Sequence, residues 1–143
     1  MKSVFQYKVP IKNNSVDTIV KEKCQQISQK VKRSKQNKTI HDYPAVVVGC
    51  CAKYRQIIYI DSTSSRKVYS KVPTLYNALN TIGGIGTLRN GNIIGACAEP
   101  KAAFDVVLDV HCALQNLRFS KAFRPRTLQV IPYCQNCKDV FKL

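Results

Sequence analysis

Two short apolar runs near the middle of the chain constrain the fold most: Ala45-Val46-Val47-Val48-Gly49-Cys50-Cys51 and Ile57-Ile58-Tyr59-Ile60. Both are rich in β-branched residues, and the first reads as a buried strand. Only Ala52-Lys53-Tyr54-Arg55-Gln56 separates them, so the two are expected to pair as a hairpin.

The rest of the chain reads as helices around this hairpin. Val16, Ile19, Val20, Cys24, Ile27 and Val31 recur at three- and four-residue intervals, as on one face of a helix. Ser15 can cap it, with Asp17 and Thr18 in the first turn, and its outward face carries Lys21, Lys23, Lys30, Lys32, Arg33, Lys35 and Lys38. Residues 1–14 read as irregular. Residues 61–96 form a long connection with a short helix over Pro73–Asn80, followed by Gly83, Gly84, Gly86 and Gly91. A connection of that length inside a small domain is often functional. A long central helix is expected over 99–119, where Glu99, Ala103, Val106, Val110, Ala113, Leu114 and Leu117 share a face. After Pro125, Thr127–Ile131 reads as a third strand, and a short last helix begins at Cys134–Cys137. The order helix, strand, strand, helix, strand, helix implies an α/β fold, a three-layer α/β/α sandwich with a mixed β-sheet and a right-handed crossover. At 143 residues one domain is expected over 1–143.

Charge bounds the partner. The chain carries 23 basic and 8 acidic residues, a net charge of +15. Such an imbalance favours a polyanion, nucleic acid before an anionic membrane surface. The N-terminus has no apolar run long enough for a signal peptide, and no stretch approaches the ~20 apolar residues of a membrane span, so a soluble protein acting in the cytosol is expected. Seven cysteines stand at 24, 50, 51, 97, 112, 134 and 137. An odd number without a secretory signal points to metal binding or catalysis rather than a disulfide framework. Cys24, Cys50, Cys51 and Cys112 fall in apolar patterns and read as small core residues. His41 and His111 lack ligand spacing to the cysteines and read as structural.

Three cysteines remain. Cys134-x-x-Cys137, at a turn into a helix, can bring two sulfurs to one ion, and a helix N-terminus favours thiolate. Cys97 also precedes a helix start. If the two helices lie side by side, their first turns can share one zinc ion, with three sulfurs and one open position. Glu99, one of only two glutamates, then has a reason to sit on an apolar helix face. Beside an activated water it can take up a proton and pass it to a leaving group.

Cys97-Ala98-Glu99 together with Cys134-x-x-Cys137 resembles the zinc-dependent cytidine-deaminase-like superfamily. The resemblance implies a cytidine-deaminase-like fold with Zn2+ on Cys97, Cys134 and Cys137, and Glu99 as proton shuttle. It further implies that the Ala98 N–H contacts the base carbonyl and that water attacks C4 of cytosine or C6 of adenine. The sequence departs from the family pattern at Tyr133, which intervenes between Pro132 and Cys134, and in lacking the asparagine-and-glutamate ribose pattern of free-nucleoside enzymes. The compact form and the CAEP motif are similar to deaminase domains of bacterial secreted toxins. That implies a monomer within a longer parent, delivered to a target cell, with an immunity protein as an open question.

A polynucleotide accounts for the charge, because each phosphate contact releases counterions. Cytosine in nucleic acid, DNA before RNA, is therefore the expected substrate. Tyr76, Tyr133, Phe123, Asn77 and Asn80 are candidates for base contacts; Lys71, Arg89, Lys101, Arg124 and Arg126 are candidates for the backbone. Two rival readings stay open. One is a deaminase of free cytidine or nucleotides. The other is a non-catalytic nucleic-acid-binding module with a structural zinc, which needs a fourth ligand from Cys112 or His111.

Overall fold

In the computed structural model, residues 5–12, 14–34 and 43–143 are described. The two apolar runs form β2 (Val47–Ala52) and β3 (Ile57–Ser62), paired antiparallel with Val47 opposite Ser62 and Cys50 opposite Tyr59. Side chains alternate across a strand, so β2 divides its residues between two cores. Val47 and Cys51 face α1 (Val16–Ser34), meeting Val20, Cys24, Ile27 and Val31. Val48, Cys50 and Ala52 face the other way, toward α2 (Pro73–Thr81) and α3 (Ala98–Val110). The fold is thus mixed α/β, with helices against both faces of the sheet. Ser15 caps α1 through its Oγ, which accepts from the Thr18 N–H at 3.2 Å.

Gly49 sets how closely α1 can lie on the sheet. A Cβ there would stand 2.4 Å from Ile58 Cδ1 and 2.6 Å from Val20 Cγ2. A larger residue fits only if the Ile58 and Val20 side chains give way.

Four features differ from expectation. Residues read as irregular contain β1 (Tyr7–Pro10), which lies along the outer edge of β3, Tyr7 opposite Ile60. Its signal was the alternation of Phe5, Tyr7, Val9 and Ile11. The central helix ends at Val110 rather than near 119. His111 takes a left-handed conformation (φ 54°), and β6 (Leu117–Phe119) then pairs with β2, Leu117 opposite Ala52. Leu114 and Leu117 fit a helical period, but the open edge of β2 needs a partner for its backbone groups, and that need overrides the period.

The third strand is a short β8 (Gln129–Ile131) preceded by a further strand, β7 (Ala122–Arg124). The main sheet runs β1-β3-β2-β7-β8, with β6 also on β2. Every pairing among the described residues is antiparallel, where a mixed sheet was expected. For β7 and β8 the cause is the tight 125–128 turn between them, too short for the crossover that parallel strands need.

The long connection holds α2 as expected and, in addition, a small hairpin of β4 (Leu88–Arg89) and β5 (Asn92–Ile93). Asn90 and Gly91 turn it with positive φ (53° and 80°), as a tight hairpin requires. The chain's last helix is α4 (Gln135–Phe141). No helix among the described residues is long and apolar enough to cross a membrane. Lys35, Lys38 and His41 lie outside the described residues.

Candidate metal centre

The starts of α3 and α4 meet. Cys97 caps α3 and Cys134 caps α4, each with extended backbone (φ −68°, ψ 161° and φ −71°, ψ 161°). The approach to Cys97 depends on Gly95, whose φ of +89° favours glycine and whose Cβ, if it had one, would press on the Tyr69 ring at 3.1 Å. Tyr69 holds this turn by donating its hydroxyl to the Gly95 carbonyl at 2.5 Å.

Cys97 Sγ lies 3.3 Å from Cys134 Sγ, which lies 3.4 Å from Cys137 Sγ. The three sulfurs fall within 4.8 Å of one another, a cluster that could hold a metal ion. Contact with the Cys137 and Cys97 thiols, helped by the backbone N–H groups of Cys137 and Asn136, holds the Cys134 thiol down at about 2 against its burial. The Cys97 thiol is pushed up to about 12, first by Cys134 and then by burial. Cys137 is pushed far above the ordinary thiol range by the same two sulfurs and by burial. Three thiols this close cannot all ionise without a cation between them, and a cation would release the remaining protons.

Glu99, on the first turn of α3, is 4% exposed. Its Oε2 accepts from the Cys137 thiol at 3.2 Å. Burial raises its pKa, opposed by its own backbone N–H and by Cys137. Cys97, Ala98, Glu99 and Cys134 open onto a cavity of about 240 Å³, walled by Ala45, Val46, Thr63, Asn92, Ile93, Ala96, Ile131 and Pro132. Thr63, Asn92 and Ile93 were not singled out from the sequence. They reach the site through the β2–β3 pairing and the small hairpin, neither of which a local motif marks.

Other anticipated residues lie elsewhere. Tyr76 is exposed on α2. The Asn77 carbonyl accepts from Thr81 Oγ1, and Asn80 Oδ1 accepts from the Ile85 N–H at 3.1 Å. Tyr133 donates its hydroxyl to the Ser120 carbonyl at 2.6 Å and packs against the α3 core. Phe123 is buried against α1, across the sheet. None of these lines the cavity. Among the basic residues, Lys71, Arg124 and Arg126 are exposed. Lys101 is buried instead, donating to the Thr63 carbonyl at 2.7 Å, because its helix position faces the sheet. Arg89 is tied to Asp139 at 2.7 Å. Cys112 and His111 lie beyond the far end of α3, about 20 Å along a 13-residue helix from Cys97.

A buried charge cluster also escaped the sequence reading. Lys67 Nζ stands 2.7 Å from both Asp61 Oδ2 and Asp105 Oδ1. Burial, together with the neighbouring Asp61 carboxyl, pushes Asp105 up to about 8, against the pull of Lys67.

Comparison with known proteins finds no matching family model, no matching curated protein and no matching solved structure.

Proposed function

We propose that this chain is a zinc-dependent hydrolytic deaminase that converts cytosine to uracil in nucleic acid, DNA before RNA. The observation that carries the reading is the buried Glu99 carboxylate against a three-cysteine cluster at two helix starts, opening onto a cavity. Zinc fits the cluster: Zn–S bonds of ~2.3 Å in a tetrahedron set sulfurs roughly 3.8 Å apart, near the observed 3.3 and 3.4 Å. Three thiolates would leave a fourth position open, as in catalytic rather than closed structural sites. In this reading the sheet with α1 on one face and α2 and α3 on the other is the three-layer sandwich of the cytidine-deaminase-like proteins.

Zinc, when bound, supplies Lewis-acid activation of water. Cys97, Cys134 and Cys137 would hold the ion. Glu99 Oε2 would take one proton from the attacking water and pass it to the ring nitrogen, then take the second from the new hydroxyl and pass it to the amino group, which leaves as ammonia. In this reading the Ala98 N–H, at the start of α3 beside the cavity, donates to the base carbonyl. The apolar walls at Val46, Ile93 and Ile131 admit a flat ring that has left its stack. The distance of Cys112 and His111 disfavours a four-ligand structural zinc. The parent is read as a secreted toxin whose basic surface engages the polynucleotide.

The test incubates the zinc-loaded protein with single-stranded DNA, duplex DNA, RNA and free cytidine, read by sequencing and chromatography. Uracil in the DNA is expected. Conversion of free cytidine alone would overturn the polynucleotide assignment, and conversion of none would overturn the enzyme.

A further inference from the structure

Asn136 sits between Cys134 and Cys137, is 4% exposed, and has no part in the proton chemistry. Its carboxamide is committed to the β4–β5 hairpin. Nδ2 donates to the carbonyls of Arg89 at 3.0 Å and Asn92 at 3.3 Å, and Oδ1 accepts from Arg89 Nη1 at 3.1 Å. Arg89 also reaches Asp139 on α4 at 2.7 Å. A buried carboxamide with its groups satisfied in this way fixes its partners, since releasing it would leave polar atoms unpaired. The hairpin is therefore clamped to the helix start that carries two of the three cysteines. It also leads directly into Cys97.

The clamp has a consequence for the cavity, which Asn92 and Ile93 line. Two neutral polar residues stand in a wall that is otherwise apolar apart from the cysteines and Glu99. Thr63 Oγ1 already accepts from the Ala45 and Val46 N–H groups, at 3.0 and 3.4 Å. Asn92 Nδ2 reaches only the Asn90 carbonyl, at 3.5 Å, the outer limit of a hydrogen bond, and its Oδ1 has no protein partner among the described residues. Asn92, exposed at the rim of the cavity, thus offers a donor and an acceptor, side by side and in one plane, beside apolar walls. That pairing suits the polar edge of a heterocycle. A phosphate, which only accepts, would leave the acceptor unused.

We propose that Asn92 is the specificity-determining side chain of the site, hydrogen bonding the polar edge of the base in the cavity, and that Asn136 is the residue that positions it. The proposal rests on the deaminase reading and adds what selects the base.

The test uses zinc-loaded protein carrying Glu99→Ala, which blocks turnover, and two labelled single-stranded oligonucleotides that differ only in one cytosine or an abasic position. The cytosine strand should bind about 10-fold tighter, the effect of one net hydrogen bond of about 1.4 kcal/mol. Adding Asn92→Ala should bring the ratio to about one, with zinc content and abasic-strand affinity unchanged. Asn136→Ala should do the same, and Asn136→Asp, which keeps the acceptor toward Arg89, should restore part of the ratio. In an otherwise wild-type background, Asn92→Ala should lower kcat/KM about 10-fold or more with zinc intact. A cytosine preference that survives Asn92→Ala, or is missing from the parent, overturns the proposal. A preference that depends on Asn92, with no uracil formed by the protein that retains Glu99, supports the base contact and counts against deamination alone.

Discussion

Glu99 Oε2 and Cys137 Sγ lie 3.2 Å apart, although the residues are 38 positions apart in the chain and stand on different helices. The contact puts a buried carboxyl beside one thiol of a cluster that could hold a metal ion. Glu99→Gln keeps the shape and removes the titratable oxygen. It should retain one zinc per chain by metal analysis and show kcat lowered by roughly 10²-fold to 10⁴-fold, the usual span for a general acid–base. A variant with near wild-type kcat would remove Glu99 from the mechanism.

Cys134 holds the middle of the sulfur cluster, within 3.4 Å of both other cysteines. Cys134→Ser should lose zinc and, with it, the melting transition of the holo protein, because the metal holds two helix starts together. Cys112→Ser, at the far end of α3, should keep full metal content. Excess chelator should lower the melting temperature of the wild type and leave that of Cys134→Ser where it is. Equal zinc in both variants would contradict the ligand set.

How much of this was legible follows from the range of each interaction. The hairpin, the stripe of α1 and the two cysteine motifs are local patterns, and each could be read directly. The end of α3 was not, because Leu117 keeps a helical spacing while its backbone serves β2. The wall of the cavity was not, because Thr63 and Asn92 arrive through pairings that only the folded chain defines. Lys101 and Arg89, read as candidates for the nucleic-acid backbone, have partners within the fold that the sequence did not mark, for the same reason. Lysine and arginine look alike in sequence whether they meet water, a buried carbonyl or a carboxylate.

Asp105 offers a pH test away from the metal. It faces Asp61 and Lys67, and burial leads in raising its pKa to about 8, against ~3.9 for an unfolded aspartate. Between about pH 4 and 8 the folded protein keeps a proton that the unfolded chain releases. Its contribution to stability is therefore fully present below about pH 4, falls as pH rises through that window, and levels off above it. Asp105→Asn should flatten the pH dependence by up to about 1.4 kcal/mol per pH unit, one proton's worth. Urea midpoints at pH 5, 6.5 and 8 check this; parallel profiles for both proteins would sink it.

Arg124, the last residue of β7, and Arg126, on the β7–β8 turn, are exposed on the chain segment that leads to Ile131 and Pro132 at the cavity wall. If they meet phosphates, Arg124→Ala with Arg126→Ala should weaken single-stranded DNA binding and reduce the slope of log K against log salt by about 0.7 for each phosphate no longer neutralised. Binding across a salt series measures it. An unchanged slope would make them ordinary solvated charges.

Gly49 connects the two faces of the sheet. Its N–H donates to Ser120 Oγ at 2.8 Å, while its missing side chain admits Val20 and Ile58. A Cβ would lie within 2.6 Å of atoms from both α1 and β3, so neither neighbour can yield alone. Gly49→Ala should cost about 1–3 kcal/mol, the range for overpacking a filled core. A lower urea midpoint with an unchanged m-value would show it. Because Val48 and Cys50 on the same strand face α2 and α3, a backbone shift at Gly49 should also disturb the far side, where the cysteines lie. Weaker zinc retention in Gly49→Ala, with the sulfur ligands intact, would be the sign that α1 packing is felt at the metal.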